Sequence, residues 1–132
     1  MSILLNAASQ LGLTLNPHQV EQFEIFYQEM VYWNNQLNLT TITGLEEVQL
    51  KHFADSLSLL TTFEPAALKG RLKVIDIGSG AGFPGLPLKI ALPHLDMVLL
   101  EATGKKAAFL KQVIGKIRLK NVEVITARAE EL

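Results

Sequence analysis

Apolar residues recur at helical spacing in the first part of the chain, and the pattern predicts two well-delimited helices. The first covers residues 2–11 and ends at Gly12, because glycine readily takes the left-handed conformation that stops a helix. The second runs to Leu37. Asn16 is its predicted cap and Pro17 its first residue, a position where the missing N–H of proline has no cost.

A third helix is predicted from the capping box Thr43-Gly44-Leu45-Glu46, and its apolar positions continue until Pro65 ends it. The pattern changes after this point. We therefore divide the chain into an N-terminal helical subdomain, residues 1–68, and a second unit, residues 69–132.

The second unit alternates short β-rich runs with helical stretches. Strands are predicted at residues 72–77, 96–101 and 122–126, with helices at residues 84–92 and 104–118 between them. Strands that alternate with helices of this length are typical of βαβ units with right-handed crossovers. The fold class is therefore α/β with a parallel sheet.

Composition and charge narrow the functional classes. Hydrophobic residues make up 48% and charged residues 19%, which is typical of a globular protein, and the chain has no cysteine for disulfides or thiolate metal sites. No run is long enough for a membrane helix and no basic leader is present, so we expect a cytoplasmic protein without membrane or metal partners.

Residues 1–68 carry one basic and seven acidic side chains, net −6, whereas residues 69–132 carry eleven basic and six acidic ones, net +5. A polyanionic partner would therefore meet the second unit, although ordinary solvated helix faces explain such counts equally well.

The first predicted strand ends in a glycine-rich loop that begins at Asp76 and contains Gly78, Gly80 and Gly82. Glycines at a strand-to-helix turn let the backbone approach a ligand closely. The helix that follows starts near Pro84, so its free N–H groups face the same ligand and favour a carboxylate or phosphate.

The loop does not fit the common nucleotide motifs. A dinucleotide fingerprint needs glycine where the chain has Phe83, and the Gly-Lys-Ser/Thr of a P-loop is missing. The acidic-x-Gly-x-Gly-x-Gly pattern of residues 76–82 resembles motif I of class I S-adenosylmethionine-dependent methyltransferases. Glu101, at the end of the second strand, supplies a carboxylate with two oxygens for the two ribose hydroxyls. A structural turn beside an unrelated surface glutamate is the alternative.

A more specific resemblance rests on four ordered motifs, spread from about residue 20 to residue 132. They are Trp33-Asn34-x3-Asn38-Leu39-Thr40-x-Ile42, His52-x2-Asp55-Ser56-Leu57, the loop from Asp76 to Gly85, and Glu101-Ala102-Thr103-x-Lys105-Lys106-Ala107-x-Phe109-Leu110. Together they resemble the bacterial small-subunit (16S) ribosomal RNA guanine-N7 methyltransferase family, RsmG, also called glucose-inhibited division protein B (GidB).

The resemblance implies an S-adenosyl-L-methionine cofactor and a small-subunit ribosomal RNA partner. Motif I and the family pattern place the cofactor against the glycine loop, the end of the second strand and the segment after the third strand, where an acidic side chain can meet the adenine. The expected cofactor-binding residues are Asp76, Gly78, Ser79, Gly80, Gly82, Phe83, Glu101, Ala102, Thr103, Ala129 and Glu130. The chain offers no residue that we assign to catalysis.

Four lysines are candidates for contact with RNA phosphates: Lys105, Lys106, Lys111 and Lys116. Plain solvation explains them equally well. His52 and Asp55 lie three residues apart on a helix, where a structural hydrogen bond is favoured over a proton relay or metal pair. Trp33 is favoured as a core residue over a base-stacking platform.

Members of the family continue well beyond the position of Leu132, so we expect this chain to hold only the first half of the methyltransferase domain and to be inactive alone. The resemblance implies that the first strand is central in the complete sheet, which leaves a free edge open to self-association. Two alternatives remain open, a class I methyltransferase of a small molecule and a non-catalytic cofactor-binding fragment.

Overall fold

A computed structural model describes residues 1–128 of the chain; Ala129 and Glu130, two of the predicted cofactor-binding residues, lie outside this part. The first helix, α1 (Ser2–Gln10), and the second, α2 (Pro17–Leu37), confirm the predicted bounds closely. The Asn16 carboxamide oxygen accepts the Gln19 backbone N–H, and the Gln19 side chain accepts the Asn16 N–H, each at 2.8 Å. This reciprocal pair satisfies two amides that the first turn of a helix leaves free.

The third helical segment is less regular than its sequence pattern predicts. It consists of α3 (Leu45–Val48), a π-helical turn (Gln49–Ala54), α4 (Asp55–Ser58) and a 3₁₀ turn (Leu59–Thr62). The predicted capping box is wrong, because Gly44 is the N-cap and no side chain caps it. Pro65 does not only end this segment; it also begins a further short helix, α5 (Pro65–Lys69).

The second half confirms the predicted alternation of strands and helices. Its elements are β1 (Lys73–Ile77), α6 (Gly85–Ala91), β2 (Asp96–Glu101), α7 (Gly104–Ile117) and β3 (Val122–Thr126). The three strands form a parallel sheet in the order β1-β2-β3, in which Ile75 pairs with Val98 and Val98 with Glu123. The central strand β2 is buried along almost its whole length, as its apolar sequence requires.

Within the described residues, β1 is an edge strand of the sheet, and it exposes apolar side chains. Ile75 is 54% exposed and Ile77 is 63% exposed. An edge strand with exposed isoleucines is a template for pairing with another strand. Self-association through this edge stays a prediction.

One hydrophobic core joins the helical half to the sheet half. Phe23 and Phe53 from the helical half lie in the same buried cluster as Leu86 and Phe109 from the helices that cover the sheet. The boundary at residue 68 stays a prediction, since the two sides share this core.

Two buried glutamines of α2 bind α2 to the C-terminal ends of both sheet helices. The Gln19 amide donates to the carbonyl oxygens of Ile90 and Ala91, at 2.9 and 3.2 Å, and the Gln22 amide donates to that of Ile117 at 2.8 Å. The last carbonyls of a helix have no partner within the helix, so these contacts satisfy polar groups that burial would otherwise leave unpaired.

Within residues 1–128, no helix is long and apolar enough to cross a membrane. The same residues hold no group of three or more acidic or histidine side chains placed to bind a metal ion.

Candidate functional site

The glycine loop lies across the carboxyl end of β2. The N–H groups of Gly78 and Ser79 both donate to the Leu100 carbonyl oxygen, at 2.8 and 3.3 Å, and the Gly82 N–H donates to the Ser79 carbonyl oxygen at 2.8 Å. Ligands of open parallel α/β sheets bind outside the carboxyl ends of the strands. The loop therefore lies where the fold class predicts a binding site.

The glycines of the loop divide into an open pair and a packed pair. Gly78 has a φ of +73°, and a Cβ added to it would meet no atom of the described residues within 4 Å. Such a Cβ on Gly80 would lie 3.9 Å from the Gly78 carbonyl oxygen, at ordinary van der Waals distance. On Gly82, by contrast, the Cβ would lie 2.7 Å from Leu86, and on Gly85 it would lie 2.5 Å from Leu99. The first pair leaves room for a ligand, whereas the second pair lets α6 pack on the sheet.

Glu101 is buried at the end of β2 and binds the glycine loop directly. One carboxylate oxygen accepts the Gly80 N–H at 2.7 Å, and the other accepts the Thr103 N–H at 3.2 Å. Ala102 and Thr103 are exposed beside it. A carboxylate has about four acceptor positions, so these two bonds leave lone pairs for hydroxyl donors from a ligand.

Asp76 stabilises the glycine loop through two hydrogen bonds. Its carboxylate accepts the Gly85 N–H at 3.0 Å, at the first residue of α6, and the hydroxyl of the buried Ser79 donates to its carbonyl oxygen at 3.2 Å. Burial raises the pKa of Asp76, and the Gly85 hydrogen bond opposes this rise. The side chain of this predicted cofactor-binding residue thus anchors the loop and α6.

The Phe83 side chain turns towards the helical half. Its ring packs against Phe26, His52 and Phe53, with centroid distances of 5.5, 4.4 and 6.0 Å. The ring of this predicted cofactor-binding residue therefore contacts the helical half of the chain. Sequence reasoning gave no sign of the His52 contact, because a π-helical turn shifts the side-chain directions that a regular helix predicts.

The four candidate RNA-binding lysines all lie on α7 but do not share one face. At about 100° per residue, Lys111 lies about 120° around the helix from Lys105, whereas Lys116 lies within about 20° of Lys105. Lys116 forms an ion pair with the buried carboxylate of Glu29 on α2. Lys106 is half-buried. Lys105 and Lys111 are exposed and form no ion pair with any of the described residues.

Trp33 confirms the core prediction in part. Its ring meets Phe109 edge-on with centroids 6.0 Å apart, and its indole N–H donates to Glu29 at 3.2 Å. The hydrogen-bond partner of the His52 ring is not Asp55 but Thr40, whose hydroxyl oxygen lies 2.8 Å from His52 Nε2. This bond joins the third helical segment to the Asn38-Leu39-Thr40 motif.

Comparison with known proteins gives a consistent set of relatives. Ribosomal RNA small subunit methyltransferase G of Dehalococcoides mccartyi strain BAV1 is 51% identical over 131 residues, covering 99% of this chain and 54% of that protein. The proteins of the same name from Lachnoclostridium phytofermentans and Caldanaerobacter subterraneus subsp. tengcongensis are 46% and 48% identical, over 98% and 100% of this chain and 52% and 54% of theirs. A solved precorrin-6y C5,15-methyltransferase from Geobacter metallireducens shares 21% identity and a TM-score of 0.40, over 49% of this chain and 36% of that one.

The chain spans about half the length of the curated relatives it matches. The sequence model of the family described as rRNA small subunit methyltransferase G matches residues 19–132, which include the capping glutamines of α2, the glycine loop and Glu101. This chain belongs to the rRNA small subunit methyltransferase G (GidB) family.

Proposed function

We propose that this chain supplies the cofactor-binding part of a methyltransferase that uses S-adenosyl-L-methionine to methylate N7 of a specific guanine in small-subunit ribosomal RNA. The observation that carries the proposal is the open Gly78–Gly80 backbone beside the buried Glu101 carboxylate. Membership of the family gives the proposal its substrate, since the relatives carry the name of a small-subunit ribosomal RNA methyltransferase.

The residues at this site fit S-adenosyl-L-methionine. Gly78 and Gly80 present backbone without side chains where the methionine part would approach, and the spare lone pairs of Glu101 suit the ribose hydroxyls. Ala102 and Thr103 flank the ribose position, while Asp76, Ser79, Gly82 and Phe83 hold the loop in shape. The assignment of Ala129 and Glu130 to the adenine rests on the family resemblance alone.

When bound, the cofactor supplies an electrophilic methyl group on a sulfonium. Guanine N7 carries a free lone pair, so the nucleophile needs no deprotonation and the product base is cationic. The work left to the protein is to align N7 with the methyl group and to accommodate the positive charge that moves to the base. This is why no general base is needed among Asp76, Glu101 or His52.

The two other candidates differ in what they methylate or whether they methylate at all. A small-molecule substrate is disfavoured because the relatives are named for ribosomal RNA. A non-catalytic cofactor-binding role would retain ligand affinity without methyl transfer. RNA modification in cells separates these possibilities.

Deleting the gene of the methyltransferase that contains this chain should remove one N7-methylguanosine from small-subunit ribosomal RNA, and the wild-type gene should restore it. A gene copy with Gly78→Val should fail to restore the modification, because a β-branched side chain disfavours the +73° φ and fills the open space. The matched control is Gly115→Ala on α7, where an added Cβ meets no described atom within 4 Å. An unchanged methylation pattern in the deletion strain contradicts the proposed function.

A further inference from the structure

The imidazole of His52 lies flat on the ring of Phe83, with centroids 4.4 Å apart and planes inclined by 11°. His52 belongs to the helical half, whereas Phe83 belongs to the glycine loop. Both side chains are half-buried, and burial lowers the pKa of His52, against the opposing charge of Asp55. The stack is a direct contact between the two halves of the chain at the candidate site.

The π-helical turn (Gln49–Ala54) contains His52, which contacts the loop through this turn. Phe53, the next residue, points into the core, where its ring lies 5.1 Å from Phe23 and 5.4 Å from Phe26. Single π-helical turns are rare and occur frequently at functional sites.

A ring nitrogen of the imidazole is also held in place. His52 Nε2 lies 2.8 Å from the Thr40 hydroxyl oxygen, which accepts the Ile42 N–H at 3.1 Å, while the Thr40 N–H donates to the Asn34 side chain at 2.9 Å. The imidazole is therefore held between the segment that follows α2 and the glycine loop. A neutral imidazole can make both contacts.

Along the chain, Phe83 lies between Gly82 and Gly85, the packed pair of glycines, and the backbone N–H group of each forms a hydrogen bond. The Gly82 N–H donates to the Ser79 carbonyl oxygen at 2.8 Å, and the Gly85 N–H donates to Asp76 at 3.0 Å. A displacement of the Phe83 ring would strain both bonds, because Gly82 directly precedes Phe83 in the chain and Gly85 follows it after one intervening residue, Pro84.

We propose that His52 is a positioning residue, which holds the Gly82–Gly85 side of the glycine loop through Phe83 and so lets the helical half set the geometry of the cofactor site. The link to cofactor affinity rests on the proposed function. The effect of His52 on the loop is independent of that function.

The test compares three substitutions by amide hydrogen exchange. His52→Ala removes both the stack and the Thr40 bond, His52→Phe keeps a ring on Phe83 but removes the bond, and Leu50→Ala is the control. Leu50 lies in the same π-helical turn and is 57% exposed. We expect exchange at Gly82 and Gly85 to rise about 3- to 10-fold in His52→Ala, the range for removal of one aromatic pair, and less in His52→Phe.

Exchange at Val113, buried in α7, should stay unchanged in all three variants, so that a local effect is separated from general destabilisation. Unchanged exchange at the two glycines, or an equal rise at Val113, overturns the inference. If His52→Ala does not fold, the comparison of His52→Phe with Leu50→Ala decides it.

Titration with S-adenosylhomocysteine extends the test to the site. We expect a dissociation constant about 3- to 10-fold higher in His52→Ala, partly restored in His52→Phe. Absence of binding to the wild-type chain contradicts the proposed cofactor site, whereas the exchange experiment still decides the role of His52. Wild-type affinity in His52→Ala overturns the link between them.

Discussion

Glu101 shows at the scale of one residue how a structural role and a proposed binding role fall on the same side chain. Its carboxylate already accepts the Gly80 and Thr103 N–H groups, so it shapes the loop before any ligand arrives. Glu101→Ala should lower the free energy of unfolding by about 1.5–3 kcal/mol, the range for a hydrogen bond to a charged group, and should also weaken S-adenosylhomocysteine binding. Chemical denaturation and calorimetry measure the two effects. In Glu101→Gln an amide oxygen still accepts one N–H, so a loss equal to that of alanine would argue against the hydrogen-bond explanation.

Gly85 illustrates a glycine required by packing. A Cβ there would lie 2.5 Å from Leu99 and 2.8 Å from the Asp76 carboxylate, so α6 would have to move away from the sheet. We expect Gly85→Ala to destabilise the fold by about 1–3 kcal/mol, as overpacking does. The matched Gly115→Ala change should be neutral or stabilise by about 0.5–1 kcal/mol, since it replaces glycine inside an exposed stretch of helix. Thermal or urea unfolding of the two variants checks the sign of each effect.

At the scale of elements, two side chains of α2 donate hydrogen bonds to the C-terminal carbonyl groups of α6 and α7. The Gln22 amide is the hydrogen-bond donor for the Ile117 carbonyl at the end of α7. Gln22→Ala should therefore cost about 1–3 kcal/mol of unfolding free energy, because a buried acceptor is deprived of its partner. The control is Gln28→Ala, at an exposed position of the same helix, which should change stability by less than about 0.5 kcal/mol. Equal effects in the two variants would contradict the capping role.

The basic side chains of α7 should divide into two classes. On the proposed function, changing Lys105 and Lys111 together to alanine should weaken binding to small-subunit ribosomal RNA. The log–log salt slope of binding should fall by roughly 0.7–0.9 for each phosphate that is no longer neutralised. Lys116→Ala should change the slope less and lower stability instead, because its ammonium group is paired with Glu29. RNA binding measured across a salt series tests this. A complete disappearance of the slope in Lys116→Ala alone would reverse the assignment.

Periodicity and capping residues were sufficient to predict α1, α2 and the three strands, because each of these depends on local sequence. The parallel sheet followed from the alternation of strands with helices. The glycine loop and Glu101 could also be found, since their chemistry depends on a fixed order along the chain. The irregular segment around His52 could not. The residues it packs against, among them Phe26 and Phe83, are distant in sequence and meet Phe53 only in the folded chain. The pairing of Lys116 with Glu29 is hidden for the same reason, since 87 positions separate them.

At the scale of the whole molecule, the contact between the two halves should make stability depend on pH. Burial lowers the pKa of His52 below its ordinary value of 6.5, with Asp55 opposing, so the unfolded chain binds the His52 proton more readily than the folded chain. The contribution of His52 to stability should therefore be fully present above about pH 6.5 and should be lost as the pH falls towards the lowered pKa. His52→Gln should flatten that part of the pH profile of urea unfolding, whereas His18→Gln, at an exposed position of α2, should leave it in place. If the pH profile of unfolding is unchanged in His52→Gln, His52 is not the origin of this pH dependence.

The two capping glutamines also set an order of events during synthesis. Gln22 leaves the ribosome 95 residues ahead of the carbonyl that it caps, a delay of roughly 5 to 20 s at ordinary rates of translation. During that interval α2 exposes an apolar stripe and polar side chains whose partners do not yet exist. We therefore expect a nascent chain that holds α2 alone to bind chaperones, and its release from them should coincide with the emergence of α7.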